Sequence, residues 1–123
     1  MEQILGEFDR LERAFASSGF RGCPFVNAVA ELGEPRHAAN KIAVGFKEQR
    51  RIWFRDLLAQ LRVANAESLA TQLMLLVDGA IAAALVRGEP QVARAARQAA
   101  CVLLGAAGVK LPAKARRPTR APR

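Results

Sequence analysis

Between Ala66 and Arg87 the chain sets Leu69, Leu73, Met74, Leu75, Leu76, Val77, Ile81 and Leu85 at helical spacing, and Gly88-Glu89-Pro90 stops the run. Proline is tolerated in the first turn of a helix, where its missing N–H has no partner to lose, so a second helix is expected from Pro90 to Ala107. A two-residue connection forces the pair to run antiparallel, as an αα-hairpin. The rest of the chain must therefore cover a hairpin that is apolar on most of its faces.

Helical periodicity extends almost throughout, and no segment alternates with the period of two that marks a strand. Over residues 2–16, Ile4, Leu5, Phe8, Leu11 and Phe15 share one stripe while Glu7, Asp9, Arg10 and Arg13 lie off it, an amphipathic helix that Ser17-Ser18-Gly19 ends. A short helix is expected over residues 23–32, opened by Pro24 and closed by Gly33; being apolar nearly all round, it reads as enclosed by other helices. A long helix over residues 36–63 is expected to turn Ile42, Phe46, Trp53, Leu57 and Leu61 inward and Lys47, Glu48, Arg51, Arg55 and Asp56 to water. The expected fold is thus all-α, with five helices.

Small residues line the hairpin: Gly79, Ala80, Ala83 and Ala84 on one helix, and rows such as Ala93, Ala96 and Ala100 on the next. Five helices of this size have difficulty covering so much apolar surface, and a two-fold copy of the hairpin would complete a four-helix bundle. Leu76, Ala80, Ala83, Ala84, Ala96, Ala100 and Leu104 are the expected dimer contacts; the alternative is that both helices are core elements of a monomer.

A net charge of +8 points to nucleic acid until its location is considered. Six basic residues and no acids lie between Lys110 and Arg123, leaving 13 basic against 11 acidic residues before them. From Gly108 onward the segment, with three prolines and no periodicity, reads as a disordered basic tail. Lys114, Arg116, Arg117 and Arg120 could hold phosphate backbones without reading sequence.

Neither cysteine, Cys23 or Cys101, has a partner at metal-site or redox spacing, and His37 is the one histidine. Cys23 at a helix start would have a lowered pKa, but catalysis needs a base, and His37 lies at the far end of a helix about 15 Å long. A packed thiol is the expected role, with no catalytic residue, metal or cofactor. The first residues, MEQILGEFDR, have neither the basic start nor the apolar run of a signal peptide, and Leu73–Val86 is broken by Asp78. A soluble, cytoplasmic protein with no membrane contact is expected.

Asn27 and Asp78 are polar groups stranded in apolar runs, and each needs a hydrogen-bond partner, a counter-charge or a cavity. A structural bond between helices would satisfy them. So would a place among the few polar groups of a mostly apolar ligand pocket.

The run FRGCPFVNA from Phe20 to Ala28, together with LLVDGAIAAALVRGEPQVARAARQAA from Leu75 to Ala100, resembles the C-terminal half of TetR-family transcriptional regulators. The similar branch has a GCPF-type entrance to a short helix and a DGA motif before the last helix pair, and the likeness spans residues 4–107. The resemblance implies a five-helix TetR-like domain that binds a small, largely apolar effector and homodimerises through its last two helices. Phe8, Leu11, Phe15, Phe25, Asn27, Phe46, Trp53, Met74 and Asp78 are the candidate pocket residues. Family members begin with a helix-turn-helix module for which no segment here is a match, so no sequence-specific DNA contact is expected of this chain alone. Pairing with full-length relatives would then silence them. The alternative function is that of a small helical structural or interaction protein that touches nucleic acid through its basic tail; an enzyme ranks behind both.

Overall fold

A computed structural model describes residues 1–22 and 38–111. Four helices and no strand are found among them: α1 (Glu2–Ala16), α2 (Ala38–Gln60), α3 (Ala66–Arg87) and α4 (Val92–Ala106). The helix expected over residues 23–32 lies outside the described residues, as do Phe25 and Asn27.

Helix α1 buries Ile4, Leu5, Phe8, Leu11 and Phe15, the whole of its apolar stripe. Its end is held by the Ser17 hydroxyl, which donates to the Ala14 carbonyl at 2.6 Å. Gly19 then turns the chain through the left-handed region, φ 87°, and brings the Phe20 ring to 4.9 Å from that of Phe15.

Helix α3 is the spine of the domain, touching α1, α2 and α4. It starts at Asn65, whose side chain accepts from the Ser68 N–H, and ends at Gly88, left-handed at φ 66° with its N–H on the Ala84 carbonyl. By length and composition α3 could cross a bilayer. Here its inward residues, Ala70, Leu73, Val77, Ala80 and Ala84, repeat every three to four positions and pack among the other helices.

The reversal after Gly88 is tightened by i→i+3 bonds, Val92 N–H to Glu89 and Ala93 N–H to Pro90, so α4 begins two residues later than the expected Pro90. Ala93, Ala96, Ala100, Cys101 and Leu104 form its buried face. Of the expected dimer contacts, Ala80, Ala84, Ala96, Ala100 and Leu104 are buried in the chain's own core. Their small side chains let α3 and α4 approach within one copy. Leu76 and Ala83 are half-buried beside that seam. The large apolar side chains left outside on the hairpin, among the described residues, are Leu75 (65% exposed), Leu85 (46%), Val86 (85%) and Val102 (71%).

Helix α2 departs from expectation in its register. Its buried residues are Ala43, Phe54, Leu57 and Leu58; Ile42, Phe46 and Trp53, expected inside, are exposed. The helix ends on Arg62, left-handed at φ 59°, with Val63 N–H reaching the Leu58 carbonyl and Arg62 N–H reaching Ala59, a Schellman motif with arginine where glycine is usual. Expected of Arg62→Gly is a gain of about 1 kcal/mol, the cost of a side chain in that conformation, read as a higher denaturation midpoint.

Helix α4 also ends in a Schellman motif, with Gly108 at φ 87° and Val109 N–H on the Leu104 carbonyl. Val109 and Leu111 lie against the core. The chain therefore stays packed three residues beyond the Gly108 at which the tail was expected to begin. Lys114, Arg116, Arg117 and Arg120 fall outside the described residues.

Candidate functional site

Three helices converge on a cavity of about 40 Å³. Its apolar wall is Leu11 from α1, Phe46 from α2, and Met74, Val77 and Ile81 from α3; its polar rim is Arg10, Lys47, Arg50 and Asp78. Positions 46, 47 and 50 fall on one side of α2, and 74, 77, 78 and 81 on one side of α3, because residues three and four apart share a helix face.

Asp78, the acid stranded in an apolar run, is resolved by a counter-charge. Lys47 Nζ donates to its Oδ1, with both side chains about a third exposed. Two of the rim cations, Arg10 and Arg50, both grip Glu7. Arg10 donates from Nε to Oε2 at 3.0 Å and from Nη2 to Oε1 at 2.6 Å, and Arg50 Nη2 pairs with the same Oε1. Arg50 lies with Cζ 5.9 Å from the Phe46 ring centroid, within cation–π range. Its Nε is buried and has no hydrogen-bond partner. Burial holds the Arg50 guanidinium below its ordinary pKa, and the nearby Asp78 carboxylate pulls the other way.

The structure brings together Leu11, Phe46, Met74 and Asp78 of the nine candidate pocket residues. Phe8 and Phe15 sit on either side of Leu11 along α1, but in the packed core. Trp53, 40% exposed with its ring 5.1 Å from that of Phe54, does not line the cavity. Arg10, Lys47 and Arg50 were missed because each, read alone, is a solvated cation on an amphipathic helix. The signal that could have found Lys47 was Asp78, since a carboxylate in an apolar run requires a cation facing it.

A second space, an open groove of about 430 Å³, lies at the other end of the hairpin between Asn65, Ser68, Leu69 and Gln72 on one side and Leu103, Ala106 and Ala107 on the other. It has the volume of a small-molecule site. Among the described residues no charged side chain lines it.

No family model, curated protein or solved structure matches this chain. The site therefore has to be read from its own chemistry. Among the described residues no group of three His, Cys, Asp or Glu side chains could hold a metal. Cys101 is buried, and desolvation pushes its thiol above the ordinary value, away from the thiolate that nucleophilic chemistry requires. What the cavity offers is apolar contact, a few directional polar groups and a removable ion pair, a combination suited to binding.

Proposed function

We propose that this chain is the regulatory, effector-binding and dimerising domain of a TetR-like transcriptional regulator. The observation that carries the reading is the meeting of Leu11, Phe46, Met74 and Asp78, from three helices, around one cavity. A space of about 40 Å³ is far below the several hundred Å³ of a drug-sized site. Binding therefore requires opening, and the residues at the mouth suit it: Phe46 is 36% exposed and the Lys47–Asp78 pair is partly solvated. An effector entering there would push α2 from α3, the motion that a regulator would transmit.

The test is thermal stabilisation by a panel of benzene, indole, hexanol and hexanoate. A ligand at a hundred times its Kd adds about 2.7 kcal/mol, or roughly 10 °C in a domain of this size. Met74→Phe and Ile81→Phe, which fill the cavity from two sides, are expected to abolish the shift while leaving the helical circular dichroism unchanged. A panel with no stabilising member contradicts the proposal.

The second copy would meet the outward residues of the hairpin. Leu75, Val86 and Val102 are large, apolar and exposed, and no charge is needed to pair them. Sedimentation at micromolar concentration is expected to give twice the 13.3 kDa chain mass, and Leu75→Glu with Val86→Glu to return the monomer. A monomeric parent chain removes dimerisation from the proposal.

A further inference from the structure

We infer that the cavity between α1, α2 and α3 takes a small monocarboxylate with a short apolar tail, its carboxylate received by Arg50 and Lys47. This rests on reading that cavity as the ligand site. Among the described residues, three cations, Arg10, Lys47 and Arg50, and two carboxylates, Glu7 and Asp78, stand around it, so this group carries one surplus positive charge in a site walled by apolar side chains. A buried N–H donor normally has an acceptor, yet the buried Nε of Arg50 has none. Glu7 does not supply one: its Oε2 accepts from Arg10 Nε, and its Oε1 is shared by Arg10 and Arg50.

An arriving carboxylate would meet the free Nε donor and neutralise the surplus charge, giving a charge-assisted bond stronger than one to a neutral acceptor. An amide would satisfy the donor but not the charge; an ammonium would be repelled. The closed cavity has room for one small polar group, and the tail would then lie along Met74, Val77 and Ile81 where Phe46 swings out. Lys47, freed from Asp78 by that opening, is the second cation within the same rim.

Hexanoate, hexanamide and hexylamine, equal in chain length, separate the alternatives. Each is titrated into the full chain while the Arg50 Nε–H resonance is followed by nitrogen-15 NMR, assigned by its loss in Arg50→Lys. Expected are saturable binding of hexanoate at least tenfold tighter than hexanamide, a downfield shift of the Arg50 Nε proton, and no binding of hexylamine. Arg50→Lys, which keeps the charge and most of the stem, is expected to weaken hexanoate by at least tenfold; Arg51→Lys, on the outer network, leaves it unchanged. Equal binding of hexanoate and hexanamide overturns the carboxylate assignment while leaving the cavity as a ligand site. Tight hexanoate binding that Arg50→Lys does not weaken overturns the role of Arg50, and failure of all three probes together with the wider panel overturns the site itself.

Discussion

Phe54→Ala is expected to lower the stability of the domain by about 3–5 kcal/mol, whereas Trp53→Ala, which removes the larger ring one position away, costs about 1 kcal/mol or less. Phe54 is fully buried and Trp53 is 40% exposed. Removing a phenyl group from a closed core loses both its transfer free energy and the contacts around the void it leaves. A partly solvated indole leaves no void. Against a total stability of about 5–15 kcal/mol, the first substitution removes a large share of the folded state's margin. Urea denaturation followed by circular dichroism reads the two midpoints. Equal effects, or a greater loss from Trp53→Ala, would show that α2 presents the opposite face to the core.

Glu7→Gln is the other large effect, with an expected loss of about 2 kcal/mol. The carboxylate is 10% exposed and holds both Arg10 and Arg50, of which Arg50 is 25% exposed. Gln preserves shape and one acceptor oxygen but leaves the desolvated Arg50 charge without its carboxylate, and removing one partner of a largely buried pair costs more than the pair contributes. Glu48→Gln is the control. Glu48 is half-exposed and pairs with Arg51, which also hydrogen-bonds Glu67, so its removal should leave the denaturation midpoint nearly unchanged. Similar losses from the two substitutions would mean that the Glu7 cluster is no more than surface decoration.

How far the fold could be read in the sequence follows the contrast between polar and apolar positions in each helix. Helix α1 was legible to the residue, because Ile4, Leu5, Phe8, Leu11 and Phe15 alternate with charges that leave one solution for its inner face. The α3–α4 hairpin was legible from its punctuation, Gly88 and Pro90. Its inner faces were not, because α3 is apolar nearly all round and nothing in the spacing separates Leu73, fully buried, from Leu75, 65% exposed.

Helix α2 shows why a register can be missed. Its sequence carries two overlapping stripes, Ile42-Phe46-Trp53-Leu57 and Ala43-Lys47-Arg50-Phe54-Leu58. The stripe through Phe54 is the poorer apolar face, because it contains two cations. The fold nevertheless turns that stripe inward, since Lys47 meets Asp78 of α3 and Arg50 meets Glu7 of α1. The charges that disqualified the stripe on a single-helix view are those that select it once neighbouring helices bring acids opposite. The candidate site suffered the same blindness. Leu11, Phe46 and Met74 of its apolar wall could be picked out; Val77 and Ile81 could not be told from the other apolar residues of α3, and the cationic rim could not be read at all, because a cation's role depends on what the fold sets across from it.

The central claim, a ligand site at the meeting of α1, α2 and α3, is tested most directly by nuclear Overhauser contacts. The most stabilising member of the benzene, indole, hexanol and hexanoate panel is added to methyl-labelled protein, and contacts between its protons and the protein methyl groups are recorded. Contacts to Met74, Val77, Ile81 and Leu11 are the expected result. Contacts confined to Leu69 and Leu103, which line the open groove at the other end of the hairpin, would contradict it.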